Sequence, residues 1–328
     1  IQKAKVKKGI KSQVVFVLNF IIIILLSVEI VMVLIVSSPS ALAETGDSYT
    51  YVTKQAIFAV GGLAVMWFVS KIDYRIYKKF YWLIYWFSVG ILLLVLVPGL
   101  EYVAGGARRW IDLGFTQFQP SEITKIGMIV FYAGYLSDHK DDLRSFKKGF
   151  IIPLLYIAPP VLIALLIQNH LSVGVVMTAI TFVMMLMAGC RLLYFVVSGL
   201  IVGGGGIAAL MAYFSMAGDS AGDANFRLSR ILNYMDPWQD PTGQGWQTIQ
   251  SLYAIGSGGL FGVGLGESKQ KYLYVSEPQN DFIFSILAEE LGFIGCVIVI
   301  ILFALFIWRG IIIAMKAPDM FGSLLATG

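Results

Sequence analysis

The sequence predicts an all-α fold, a polytopic bundle of transmembrane helices, and three observations support this prediction. The 328 residues are 58% hydrophobic and only 13% charged, and the mean hydropathy is +0.78. A soluble domain cannot bury so large an apolar fraction in one core. Apolar runs of about 17–25 residues, long enough to cross a bilayer as helices, recur along the chain. Because these runs lack period-two alternation, helices rather than a closed barrel are expected to satisfy the backbone in lipid.

About eight complete spans are predicted, and a ninth begins near Phe321. The first apolar run is followed by an A-x-A pattern, but it is longer than the roughly 7–15 apolar residues of a signal peptide, so we interpret it as a span. The short link 168–170 makes the fifth and sixth spans a tight hairpin. The predicted spans cover residues 14–36, 52–70, 80–98, 121–137, 150–167, 171–189, 192–214 and 282–308.

The lysines and arginines predict that the N-terminus lies in the cytoplasm. With that orientation most of the 24 basic residues face the cytoplasm, including the clusters at 3–11, 71–79 and 140–148. The bias holds along the chain, so the alternation of the spans is internally consistent. The basic residues that then face outside are Lys54, Arg108, Arg109, Arg227, Arg230, Lys269 and Lys271.

The longest connection, 215–281, falls on the outer side in this topology and is rich in Gly, Pro, Asp and Trp. A loop of this length in a compact fold is usually functional or disordered. Its apolar stretch IQSLYAIGSGGLFGVGLG favours a partly folded cap, with a short interfacial helix near 247–256. Within the loop, DPWQDPTGQGWQ (236–247) contains two aspartates, and its residues alone do not select either one for chemistry.

Basic side chains beside a helix start predict an anion site before the fourth span. Pro120 suits a first helical turn, and the N–H groups and dipole of a helix start attract anions. Arg108 and Arg109 lie upstream in GGARRWIDLG, and Lys125 follows in QPSEITK. This set suits a phosphate or pyrophosphate. Glu122 and Lys125 are three residues apart, so they are also expected to pair and hold the helix.

Other ionisable residues lie in or beside the spans, where burial in hydrocarbon is costly. For Glu29, in the first span, we expect a structural role. His170 lies at the hairpin tip in QNHLSVG, where it either makes a structural hydrogen bond or lies beside a substrate.

The eighth span begins with a run of acidic residues in NDFIFSILAEELGFIG (280–295). Asp281 lies at the mouth of the span, and Glu289 and Glu290 lie about two turns deeper. One of these glutamates must find a donor inside the bundle, and Lys125 is the candidate. Structural pairing and a role in a functional site are both open for them.

Three stretches resemble one known family: GGARRWIDLGFTQFQPSEITKIG, the long segment from DPWQDPTGQGWQ to AEELGFIG, and the hairpin QNHLSVG. They are similar to the SEDS proteins (shape, elongation, division and sporulation), a family that includes RodA, FtsW and SpoVE. Residues 36–55 resemble the FtsW and SpoVE branch. The family's ten spans imply that 1–328 forms a single SEDS membrane domain, with a large outer loop between spans seven and eight and with spans nine and ten missing.

The resemblance implies a bacterial peptidoglycan glycosyltransferase in the cytoplasmic membrane. The implied substrate is lipid II, a disaccharide-pentapeptide on undecaprenyl pyrophosphate, and the implied partner is a class B penicillin-binding protein, a transpeptidase. No nucleic acid is expected. A divalent cation, Mg²⁺ or Mn²⁺, is compatible with a pyrophosphate substrate, although no cluster of ligands in the sequence indicates one.

The family's D-P-x-G-x-G-aromatic-Q pattern is matched here from Asp240 to Gln247. The resemblance therefore selects Asp240, not Asp236, as the catalytic general base. His170 stands where the family usually has an acid, which makes a carboxylate role at this position doubtful. The substrate-binding candidates are Arg108, Arg109, Glu122, Lys125, His170, Gln247, Asp281 and Glu290.

Two other classes of function compete with an enzyme. A helix bundle with buried charges and broken helix ends also fits a lipid II flippase or transporter. A scaffold that only holds a partner is the third alternative. The distinctive polar residues cluster on the predicted outer side, whereas a transporter should show a comparable set on the cytoplasmic side, so chemistry is favoured.

Overall fold

The structure is a computed structural model that describes residues 2–104, 107–114, 116–200, 235–243, 245–272 and 279–328, without the side chains of 2–14, 103, 104 and 107. The described chain is mostly helical, which confirms the predicted polytopic helical fold. Its helices are α1 (Gln2–Thr45), α2 (Thr50–Val69), α3 (Arg75–Lys79), α4 (Tyr81–Leu93), α5 (Pro120–Asp138), α6 (Ile152–Leu162), α7 (Leu171–Met187), α8 (from 192 to the end of a described range at 200), α9 (Trp246–Ser257), α10 (Ile283–Met315) and α11 (Met320–Thr327).

Short non-α turns extend several of these helices. Two 3₁₀ turns are Leu94–Leu96, after α4, and Lys140–Asp142, after α5. Two π-helical turns, Lys147–Ile151 and Ile163–Ile167, flank α6, which contains Pro159 and Pro160. Proline has no N–H to donate and crowds the preceding turn, which disfavours a regular helix around this pair.

Four helical stretches of the described chain are long and apolar enough to cross a membrane: Val15–Thr45, Thr50–Val69, Lys147–Ile167 and Ile283–Met315. Two shorter apolar stretches, Tyr81–Leu96 and Leu171–Met187, correspond to further predicted spans. The seventh predicted span begins in α8, but its remainder lies outside the described residues, as do Arg227 and Arg230 of the long loop.

The chain forms two compact units. The first contains Ile1–Lys71 and Met211–Arg309, and its core joins Met32 and Val36 of α1 to Ile286 and Val299 of α10. Within this unit Gln55 of α2 donates a hydrogen bond to the Glu29 carboxylate of α1. This contact supports the structural role expected for Glu29, because a polar group in a span is stabilised by a partner on the next helix.

The second unit contains Ile72–Leu210 and Gly310–Gly328. Small residues bring two of its helices close together: a Cβ on Gly127 of α5 would lie 2.3 Å from the Ser88 hydroxyl of α4, and one on Gly134 would lie 2.5 Å from the Tyr81 ring. Close backbone approach at small residues is how membrane helices gain packing contacts. The core around this contact is aromatic, with Tyr85, Phe131 and Tyr132 fully buried.

A small antiparallel sheet interrupts the helices before α5. Its strands β1 (Glu101–Ala104), β2 (Ala107–Asp112) and β3 (Gln117–Phe118) lie in the order β1-β2-β3, and Glu101 pairs with Ile111 across β1 and β2. The sequence predicted only a loop here. The pair Gly105–Gly106 between two short β-prone runs was the signal for a hairpin, and the sheet carries Arg108 and Arg109.

Candidate functional site

The start of α5 carries the predicted anion-binding residues of the second unit. Pro120 occupies the first turn, and the N-cap Gln119 makes no side-chain cap. The Lys125 ammonium lies 2.9 Å from the Glu122 carboxylate, one turn earlier, which confirms the pair that their spacing predicts. Glu122 is exposed and Lys125 is mostly covered, so the lysine is held near the helix start.

Arg109 joins the sheet to the hairpin tip between α6 and α7. Its guanidinium donates to the Asn169 carbonyl at 2.8 Å and to the Gln168 carbonyl at 3.4 Å. Asn169 adopts a positive φ of 47°, the left-handed conformation that asparagine tolerates better than most residues. Neither acceptor carries a full charge, so Arg109 keeps its positive charge available for an anion.

Arg108 is in a different situation, although it is the next residue. Its guanidinium lies 3.0 Å from the Glu101 carboxylate across the β1–β2 pair, and half of its side chain is exposed. Its charge is therefore partly balanced within the sheet. Of the two arginines, Arg109 is the better candidate for holding a phosphate group.

His170 lies beside these charges at the hairpin tip. Its Nδ1 is 3.3 Å from the amide nitrogen of Gln119. Burial lowers the pKa of His170, the positive charges of Arg109 and Lys125 lower it further, and Glu122 opposes them. The charges of Arg109, Lys125 and Glu122 therefore all act on the His170 imidazole. When that imidazole is neutral, two positive charges and one negative charge remain, so the local electrostatic potential is positive.

The structure therefore brings together four residues that the sequence singled out: Arg109, Glu122, Lys125 and His170. It adds Gln119, which the sequence patterns did not single out. A polar residue immediately before a helix-starting proline occupies an N-cap position, and that position was the available signal.

In the first unit, the segment around the two aspartates forms consecutive tight turns. Asp236 precedes a 3₁₀ turn (Pro237–Gln239) and accepts hydrogen bonds from the backbone N–H of Trp238 at 3.3 Å and from the Gln239 amide at 3.2 Å. Asp240 follows the turn, and its carboxylate accepts the backbone N–H of Gly243 at 3.1 Å. Asp236 thus acts as a turn residue, while half-buried Asp240 organises the following turn.

Steric contacts explain why the D-P-x-G-x-G pattern has glycine at its two G positions. A Cβ on Gly245 would lie 2.1 Å from the Pro237 carbonyl oxygen, and a Cβ on Gly243 would lie 2.3 Å from the Asp240 carboxylate. The Gly245 N–H also donates to the Asp240 carbonyl at 3.0 Å. The pattern therefore fixes the backbone that carries Asp240.

The turn leads directly into α9, which confirms the short helix predicted near 247–256. Gln247 is half-buried in its first turn, and the rings of Trp238 and Tyr253 contact edge to face at 5.9 Å. Asp281 lies exposed just before α10.

The structure corrects the prediction of which side chain pairs with the buried glutamates. Glu290 pairs with Lys271 of its own unit at 3.4 Å, and both side chains are almost fully buried. Glu289 accepts hydrogen bonds from the Ser268 hydroxyl at 2.5 Å and from the Lys269 backbone N–H at 3.0 Å. The prediction of Lys125 as the donor was wrong because spacing along the chain does not reveal that the segment after α9 returns to α10.

Metal ligands are not grouped in the described parts of the chain. There, no three His, Cys, Asp or Glu side chains lie close enough to hold an ion.

Fold and site together define a polytopic helical membrane protein with a cationic helix start and an aspartate held in a glycine-supported turn. The chain belongs to the cell cycle protein family of FtsW, RodA and SpoVE, whose family model matches residues 16–328.

Named relatives and solved structures agree with this membership. The chain is 41% identical to stage V sporulation protein E of Bacillus subtilis (strain 168), over 95% of this chain and 82% of that protein. It is 38% identical to the probable peptidoglycan glycosyltransferase FtsW of Geobacter sp. (strain M18), over 93% of this chain and 80% of that protein. A solved chain from a peptidoglycan synthase complex is similar at a TM-score of 0.73 and 25% identity, covering 95% of this chain and 81% of its own. The rod shape determining protein RodA of Thermus thermophilus shares the fold at a TM-score of 0.62 and 22% identity, covering 94% of this chain and 78% of its own.

Proposed function

We propose that the chain is a peptidoglycan glycosyltransferase that polymerises lipid II at the outer face of the bacterial cytoplasmic membrane. The observation that carries this proposal is the Asp240 turn, built from the family's glycine pattern in a chain 38% identical to an FtsW over 93% of its length. The similarity to a probable peptidoglycan glycosyltransferase supports glycosyl transfer as the reaction class. The turn supplies a carboxylate whose backbone is fixed by steric contacts.

In the proposed reaction the 4-hydroxyl of an acceptor sugar attacks the anomeric carbon of a lipid-linked donor. Asp240 accepts the hydroxyl proton as general base while the new C–O bond forms. The bond from the anomeric carbon to the pyrophosphate breaks, and the lipid pyrophosphate leaves with its electron pair. A single displacement of this kind inverts an α-linked donor into a β-linked glycan.

The leaving pyrophosphate develops negative charge that needs a positive environment. Arg109 and Lys125 are the proposed pyrophosphate ligands, because both are positive and both lie at the start of α5 or on the sheet beside it. Gln119 and neutral His170 are positioned to add hydrogen bonds. Arg108, Glu122, Gln247 and Asp281 are proposed as further substrate contacts around the sugars and the pyrophosphate.

The proposed topology follows from the basic residues. The N-terminus is assigned to the cytoplasm, which places the Asp240 turn and the start of α5 outside. The chain is assigned as one membrane domain of the family. A class B penicillin-binding protein is the proposed partner, a choice supported by the similarity to a peptidoglycan synthase complex.

A lipid II transporter is the second candidate, and one observation favours it. Helix α10 is broken at Gly292, which has a φ of 67°, beside the buried Glu289 and Glu290. Broken helices recur at the binding sites of secondary transporters, and ionisable residues within spans mark ion and substrate pathways.

Purified protein in lipid vesicles separates the two functions. Lipid II carrying a fluorescent label is supplied with the class B partner, and both glycan products and movement of label between leaflets are measured. An enzyme yields long glycan that a muramidase digests. Movement of lipid II without any glycan product would establish the transporter and reject the enzyme.

A further inference from the structure

The break in α10 is filled by a separate part of the chain. In a regular helix the N–H groups of Phe293 and Ile294 would donate to the carbonyls of Glu289 and Glu290. Here those carbonyls instead accept from Val263 at 2.9 Å and from Gly264 at 3.2 Å.

The freed N–H groups are also satisfied by the same segment. Phe293 donates to the Gly259 carbonyl at 2.9 Å, and Ile294 donates to the Leu260 carbonyl at 3.2 Å. Two helical hydrogen bonds are thus exchanged for four bonds to residues 259–264, which we call the insert.

The glycines at this contact allow the two backbones to meet. A Cβ on Gly262, which has a φ of 82°, would lie 2.0 Å from the Glu290 carbonyl oxygen. A Cβ on Gly258 would lie 2.0 Å from the Ala288 carbonyl oxygen, and one on Gly292 would lie 2.3 Å from the Gly262 nitrogen. The glycine-rich run GSGGLFGVG therefore serves close backbone approach.

The contact lies inside a membrane-spanning helix. At about 1.5 Å per residue, Gly292 is roughly 14 Å along α10 from Ile283. Non-helical backbone at such depth is tolerated where protein encloses it. The segment that runs from α9 through the insert to Lys271 therefore enters the span and returns.

Buried charges hold the returning part of this segment. Lys271 pairs with Glu290 at 3.4 Å and donates to the Gly266 carbonyl at 2.5 Å. Ser268 and the Lys269 backbone bind Glu289. The other carboxylate oxygen of Glu290, Oε2, is buried without a hydrogen-bond partner in the described part of the chain, so removing Lys271 would leave this charge uncompensated.

The entering part of the segment is joined to the Asp240 turn. Helix α9 begins directly after the turn, and Tyr253 packs against Trp238. The hydroxyls of Ser251 in α9 and Ser285 in α10 are 2.5 Å apart. A continuous set of contacts thus runs from the broken helix through α9 to the backbone that carries Asp240.

We propose that Lys271 and Glu290 are positioning residues for Asp240, an inference that rests on the proposed glycosyl transfer. Their ion pair holds the insert in the break of α10, and the insert and α9 together hold the Asp240 turn. The sequence grouped Glu290 with the substrate-binding residues. Its enclosure within an ion pair favours action through the turn instead of contact with lipid II.

Hydrogen exchange and kinetics of the full chain with its partner test this proposal. Lys271→Met is expected to speed amide exchange in 246–264 and to lower kcat by about tenfold or more, since small misplacements of a catalytic group are costly, with KM within about twofold. Lys271→Arg should retain both properties. Lys269→Met is the matched control, because that side chain is exposed and only its backbone binds Glu289.

The double variant Lys271→Met/Glu290→Gln removes both charges and should exchange more slowly, and react faster, than Lys271→Met alone. If Lys271→Met does not fold, the double variant is still expected to fold, because it removes both charges of the buried pair. Wild-type exchange and kcat in Lys271→Met, or a double variant no better than the single one, would overturn the proposal. So would Glu290→Gln with a raised KM and an unchanged kcat.

The exchange measurement does not depend on catalysis. If wild-type protein makes no glycan, the proposed function fails, while faster exchange of 246–264 in Lys271→Met still supports the ion pair as the lock on the insert. If glycan is made and exchange is unchanged, only the positioning role fails.

Discussion

At the scale of single residues, the positive charges on β2 and at the start of α5 differ in what surrounds them. Lys125 is balanced by exposed Glu122 and Arg108 by Glu101, whereas the partners of Arg109 in the described part of the chain are backbone carbonyls. The sequence predicted the group from helix-start chemistry. It could not rank the members, because the partner of Arg109 lies 60 residues away on another hairpin.

Lys125→Met is expected to lower kcat/KM for lipid II by about a hundredfold, because one charge-stabilising donor is lost from the leaving-group site. Glu122→Gln is the comparison, since it removes the partner and leaves the lysine charge in place. We expect a much smaller effect from it. Initial rates of glycan formation measure both, and equal kcat/KM in Lys125→Met and wild type would remove Lys125 from the pyrophosphate site.

The pH response of the anion site should depend on His170. Burial and the neighbouring Arg109 and Lys125 lower its pKa, so the imidazole is neutral above about pH 6.5 and charges only at lower pH. Protonation then adds positive charge beside the pyrophosphate. We expect KM for lipid II to fall as pH drops below that range, and His170→Asn to flatten this trend.

The same shift predicts a loss of stability in acid. The unfolded chain binds the His170 proton more readily than the folded chain, so the contribution to stability is present above about pH 6.5 and is lost as pH falls from there through the lower pKa of the folded chain. His139→Asn is the control for both profiles, because His139 lies at the opposite end of α5. An unaltered pH profile of KM in His170→Asn would contradict the assignment.

At the scale of elements, hydropathy predicted the helices well and their interruptions poorly. A lone glycine such as Gly292 in an apolar run does not by itself indicate a break. The break depends on the insert, which supplies four hydrogen bonds from a distant part of the chain. The β1–β2 pair was missed for a related reason, since strands of this length give only a weak signal.

Gly262→Ala tests the insert as an element. A left-handed backbone costs a residue with a side chain roughly 1–2 kcal/mol, and the added Cβ would also press on the Glu290 carbonyl. We expect a lower midpoint of thermal unfolding in detergent and loss of activity. Gly256→Ala in α9 is the control, because a Cβ there meets nothing within 4 Å. If both variants unfold at the wild-type temperature, the insert does not pack into α10 as described.

At the scale of the whole molecule, composition alone indicated a membrane protein, and the family pattern then selected the chemistry. The two compact units each contain one part of the proposed machinery. The cationic helix start lies in the second unit, and the Asp240 turn lies in the first. Hydropathy predicts neither the two compact units nor the ion pair of Lys271 and Glu290. Both arise from contacts between segments that are distant in the sequence.

The proposed role of Asp240 is to remove the acceptor proton during glycosyl transfer. Asparagine caps turns as aspartate does, so Asp240→Asn and Asp236→Asn both keep their backbone hydrogen bonds and differ in the carboxylate that is lost. The direct measurement is the initial rate of muramidase-sensitive glycan formation from lipid II by the folded variants with the class B partner. We predict that Asp236→Asn polymerises at a rate near wild type and that Asp240→Asn is slower by about a hundredfold or more. A wild-type rate in Asp240→Asn would show that the Asp240 carboxylate is not the general base.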